Sequence, residues 1–142
     1  MNKKPVIIFL AAILICFYFV ACSNSSNRCA KVKEGIFYYY SPDHENDMLI
    51  IRKDSLQSEI NRKTGDTSYW RIKWITDCQF SSHYLSGKKF TSKADEYFYK
   101  TSTVTFTIGI ITKDYFLYDG LFENPFARKK YSDTCWLHER KN

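Results

Sequence analysis

Five glycines in 142 residues leave little material for a phosphate-cradling loop, and the chain contains no G-x-S-x-G elbow and no H-E-x-x-H pair. At the level of motif this excludes nucleotide hydrolysis, hydrolase chemistry on a nucleophile elbow and zinc proteolysis. Histidine is scarce too: His44, His83 and His138 lie far apart along the chain. Helical periodicity is almost missing after Gly35, so helical bundles and α/β folds are poor expectations. No apolar run reaches the roughly 20 residues of a comfortable transmembrane helix. The apolar run from Pro5 to Ala21 has 17.

What that run does have is an address. Lys3 and Lys4 precede it and small residues end it, which is the layout of a secretory signal. Its last residues, "FVAC" (Phe19 to Cys22), resemble a bacterial lipobox, with Phe19 where leucine is usual and Val20 and Ala21 matching. The resemblance implies cleavage before Cys22 and a diacylglycerol on its thiol, so that the partner would be a membrane. Two or three acyl chains anchor stably where one is marginal, each buried CH₂ contributing about 0.8 kcal/mol. The polar stretch "SNSSNR" that follows suits a flexible tether. The expected organisation is a signal at 1–21, a tether at 22–33 and a single β domain at 34–142. The tether has no acidic residue directly after Cys22, which in such bacteria points to the periplasmic side rather than the surface.

Without residues 1–21 the chain keeps 121 residues, enough for one domain and too few for two. Of 21 basic residues only Lys3 and Lys4 leave with the signal; 19 face 15 acidic ones, a net charge of +4. The basic residues come in separated groups such as Arg52-Lys53 and Arg128-Lys129-Lys130, read as solvated turns and strand ends. Nucleic acid is not an expected partner of an exported lipoprotein. Cys29, Cys78 and Cys135 remain after Cys16 and Cys22 are assigned, and an oxidising envelope favours pairing two of them. Sequence leaves the connectivity open; Cys29–Cys78 is the expected pair, with Cys135 in the tail.

From Gly35 onward the period is two. Strands are expected at 35–40, 48–54, 55–62, 68–75, 78–85, 95–101, 103–112 and 114–119, with a looser tail at 120–130 and a closing strand at 131–140. In the seventh, Val104, Phe106, Ile108 and Ile110 share one face and threonines the other, as in an antiparallel sheet with one wet side. Eight or nine short strands separated by turn signals indicate an all-β antiparallel meander, closed as a small lipocalin-like barrel or packed as a sandwich, after an N-terminal signal helix.

Candidate sites are few. Asp43, His44, Glu45 and Asp47 supply oxygen donors, but Met48 stands where a calcium loop starting at Asp43 needs glycine; a solvated turn is expected, and no metal. Ser81, Ser82 and His83 are adjacent, so a strand alternates their faces and no acid orients the histidine. Trp70, Ile72 and Trp74 fall on one strand face, opposite Arg71 and Lys73. With Phe106 they form the candidate ligand-lining or core face.

The segments "KEGIFYY", "IIRKDSLQSE" and "TGDTSYWRIKWITDCQFSSHY", in this order after a cysteine, resemble short lipoproteins and secreted proteins of Bacteroidota. The likeness runs from Cys29 to about Thr112, and its most specific pieces are Arg52 to Ser55 and Trp74 to Cys78. "GIF" at 35–37 resembles the lipocalin Gly-x-Trp opening, with Phe37 in place of tryptophan. The resemblance implies a lipocalin-like fold and no catalytic residues or cofactor. The expected function is a lipid-anchored, non-enzymatic binding or scaffolding domain whose partner is an envelope protein or a small apolar ligand. Alternatives are a lipocalin-like carrier of such a ligand and a small hydrolase with an unrecognised site.

Overall fold

The computed structural model describes residues 26–140. The apolar run, Cys22, the start of the tether and the last two residues lie outside the described residues. Within them the order is α1 (Ser26–Ala30), β1 (Gly35–Tyr39), β2 (Met48–Lys53), β3 (Leu56–Asn61), β4 (Thr67–Thr76), β5 (Gln79–Ser86), α2 (Lys93–Thr101), β6 (Thr103–Ile111), β7 (Tyr115–Glu123) and β8 (Arg128–Trp136). Every strand pairs antiparallel with its neighbour in sequence, and Tyr38 opposite Trp136 joins β1 to β8, so the sheet closes as an eight-stranded barrel. Of the two all-β architectures expected, the barrel is the one formed; closure removes the unpaired edges of an open sheet.

Three expectations are corrected. Residues 95–101, read as a strand from "DEYFYKT", belong to α2. Ser92 caps that helix, its Oγ accepting from the Asp95 amide at 3.1 Å, and Glu96 pairs with Lys100 one turn on at 2.6 Å. Cap, acidic first turn and i,i+4 ion pair together outweigh the strand preference of three consecutive aromatics. In β6, Ile110 does not share the face of Ile108. The register against β7 slips between Ile108 and Ile111, and this bulge turns Ile110 out, 63% exposed, while Ile111 packs on the core. The looser tail is a hairpin: β7 runs on to Glu123 and β8 starts at Arg128, with the Asn124 side chain accepting from the Phe126 and Ala127 amides at 2.8 and 2.7 Å.

The described end of the expected tether, residues 26–33, packs against the barrel. Cys29 and Val32 are 3% and 1% exposed, members of the core rather than of a linker. Cys29 is bonded to Cys78 in the β4–β5 turn, 49 residues away, which is the expected pair; closing such a loop stabilises by about 4 kcal/mol in the chain-entropy model. Lys33 pairs with Asp77 at 3.2 Å beside it. The segment from α1 to Lys33 thus plugs one end of the barrel, over a core of Phe37, Ile72, Phe80, Ile108 and Phe116. Each such side chain contributes about 1.5–3 kcal/mol on burial.

Candidate functional site

Inward-facing residues change character along the barrel. At the plugged end Phe37, Arg52, Gln57, Phe80, Ile108, Phe116 and Cys135 are buried. Farther along the same strands Tyr39, Met48, Glu59, Phe106, Tyr118 and Asp133 are only half-buried. The barrel is therefore a cup, sealed by α1 and open where α2 and the β1–β2, β3–β4 and β7–β8 connections lie. Its interior holds a cavity of about 340 Å³. Two hollows of about 450 and 460 Å³ lie instead along the outer wall of β5–β8, the second lined by polar side chains that include Gln79, Thr105, Asp119 and Lys130. The interior one has the depth and mixed lining of a ligand site.

Arg52 forms the floor. Its Nε donates to Gln57 Oε1 at 2.9 Å and its NH1 to the Val32 carbonyl at 2.9 Å. The guanidinium carbon stands 5.2 Å from the Phe37 ring centre and 4.4 Å from that of Phe80. Burial pushes the guanidinium down to about 10, opposed by Cys135, Glu59 and Tyr118. From Gln57 the chain of bonds continues: its Nε2 donates to Glu59 Oε1 at 2.7 Å. Glu59 lines the cavity, and desolvation raises its carboxyl above the usual range, against the pull of Gln57, Arg52 and Trp70.

Phe80, Phe106 and Phe116 supply the apolar wall, with Phe106 stacked on Phe80 at 5.0 Å and against Tyr118 at 5.4 Å. Asp133, Tyr39, Tyr118 and Tyr131 add polar groups to the same lining. Burial raises Tyr131 to about 12, and Glu59 and Asp133 both push it the same way. Tyr39 and Tyr118 are raised likewise, by desolvation first and Asp133 next. Tyr131 lies flat over Gly120, where an added Cβ would fall 2.3 Å from the ring.

Of the four residues singled out in the sequence, Phe106 lines the cavity. Ile72 and Trp74 belong to the sealed core, Trp74 lying 4.8 Å from Phe80. Trp70 joins Tyr84 and Tyr99 in a ring cluster beneath α2. The sequence reading missed Arg52, Gln57, Glu59, Tyr131 and Asp133. Arg52 gave a signal, sharing parity with Ile50 and Met48, but Gln57 and Glu59 gave none: on β3 the apolar Leu56 and Ile60 have the opposite parity.

The remaining candidates are occupied otherwise. In the β1–β2 loop Ser41 Oγ donates to Asp43 Oδ1 at 2.8 Å and the Ser41 amide to Asp47 Oδ1 at 2.9 Å. The Ser41 hydroxyl, first among the causes, holds Asp43 below the usual carboxylate range. These oxygens tie the turn together, and among the described residues no three His, Cys, Asp or Glu side chains converge as a metal site. Ser82 is buried inside the barrel while His83 points outward, its Nδ1 3.2 Å from Thr103 Oγ1. Cys135 is free and buried, its thiol pushed up to about 12 by desolvation; a thiol so raised is a poor nucleophile.

Comparisons of the chain with protein-family models, with curated proteins and with solved structures found no match.

Proposed function

We propose that this chain is a non-enzymatic binding protein of the cell envelope, held at the periplasmic face of a membrane by lipid on Cys22, whose barrel receives a small ligand. The observation that carries the reading is the 340 Å³ cavity, sealed at one end and lined jointly by phenylalanines and by hydrogen-bonding side chains. That lining favours an amphipathic molecule over a wholly apolar one. Dividing by about 30 Å³ per water-sized group, the cavity admits roughly a dozen non-hydrogen atoms.

The anchor and the cup are compatible. Cys22 precedes Ser26 by four residues, at most about 14 Å of extended chain, and α1 plugs the sealed end. Lipid on Cys22 would hold that end toward the membrane and turn the mouth to the aqueous compartment, so that ligand enters from water.

Titration calorimetry with 1-octanol tests the binding reading on the full chain carrying Cys22→Ser, which removes the lipid. One saturable site is expected, weakened at least tenfold by Ile50→Trp, which fills the cavity from its wall. Equal binding by a folded Ile50→Trp chain would overturn the reading.

A further inference from the structure

Charge inside the cup is unbalanced. Arg52, Glu59 and Asp133 are the charged side chains lining the cavity; with both carboxylates ionised, two negative charges face one positive. The positive one is already committed. Arg52 sits at the floor, bonded to Gln57 and to the Val32 carbonyl and covered by the rings of Phe37 and Phe80, so it locks the plug rather than meeting what enters. Glu59 lies one inward step nearer the mouth, opposite Ile50 on β2. Asp133 lies opposite Tyr118 on β7. Both carboxylates line the same cavity, together with Tyr131 and Cys135.

We propose, resting on the binding reading above, that the ligand is an amphipathic organic cation: an ammonium group between Glu59 and Asp133 with a compact apolar body against Phe80, Phe106 and Phe116. An ammonium brings the cavity to neutrality, whereas a carboxylate would add a second unbalanced negative charge in a poorly solvated space. The tyrosine hydroxyls of Tyr39 and Tyr131 accept the remaining ammonium hydrogens.

Calorimetric titration of the full Cys22→Ser chain with octylammonium, 1-octanol and octanoate tests this, since the three share one chain and differ in charge. Octylammonium is expected to bind at least tenfold more tightly than octanol, and octanoate more weakly than either. Glu59→Gln and Asp133→Asn should each weaken octylammonium tenfold or more and leave octanol within twofold. Octanol or octanoate binding as well as octylammonium would overturn the cation inference and leave the binding reading standing. Failure of all three to bind would overturn both.

Discussion

Arg52 spans the barrel floor to lie over the face of Phe37, its guanidinium carbon 5.2 Å from the ring centre, while donating to the carbonyl of Val32 in the plug. One side chain thus joins β1, β2, β3 and the N-terminal segment. Removing it leaves the Val32 carbonyl and Gln57 without their donor and opens a void between two rings. Arg52→Ala is expected to destabilise by about 3–5 kcal/mol, read as a lowered urea midpoint. Arg52→Lys should recover only part, because an ammonium lacks the planar guanidinium that stacks on both rings while its fixed fork of donors reaches Gln57 and Val32.

The Cys29–Cys78 bond fastens the same plug. Cys29→Ser with Cys78→Ser should cost about 3–4 kcal/mol, and non-reducing peptide mapping should recover these two cysteines as one pair. Cys135 should resist alkylation at pH 7 in the folded protein and react fully in denaturant, since it is both buried and held as the thiol. Rapid labelling of Cys135 in the native state would contradict the sealed floor.

Gly120 is needed because Tyr131 occupies the space of its missing side chain. Gly120→Ala should destabilise by about 1–3 kcal/mol through overpacking. Tyr131→Ala should remove most of that penalty, a coupling that thermal melts of the two single variants and the double variant would show as non-additivity.

Glu59 sets a pH dependence whose sign follows from its raised carboxyl. The folded state binds the proton more tightly than the unfolded chain, so this residue's contribution is most favourable below the ordinary carboxylate range. It is lost as pH rises from there through the raised value. Glu59→Gln keeps an oxygen to accept from Gln57 and abolishes the titration. The variant is expected to be more stable than the parent at neutral pH and to converge with it in acid, measured by urea midpoints across that range.

Anchoring has its own test. Cys22→Ser should move the protein from the membrane fraction to the soluble fraction of the envelope; equal membrane retention would contradict lipidation.

The barrel was legible because strand periodicity is a local property. Val104, Phe106 and Ile108 alternate with threonines and face inward. Helix α2 was misread because "YFYK" satisfies strand preference, yet "SKAD" at 92–95 carries the capping pattern that decided the outcome. Ile110 was misplaced because a bulge resets parity, and only pairing with β7 reveals the slip. The site was the least legible part. Arg52 looks like a break in an apolar face, and Gln57 and Glu59 look like the wet face of β3, until closure of the sheet brings seven strands around one volume.

Methyl NMR of the full Cys22→Ser chain during a titration with octylammonium and, separately, octanol tests the central claim most directly. Met48, Ile50 and Ile108 line the cavity, whereas Ile36, Ile75 and Ile110 stand on the outer surface, 54%, 54% and 63% exposed. Ligand inside the cup should shift the first three methyl sets saturably, at one molecule per chain, and leave the outer three in place. Shifts confined to the outer isoleucines, or growing without saturation, would contradict a binding site in the barrel.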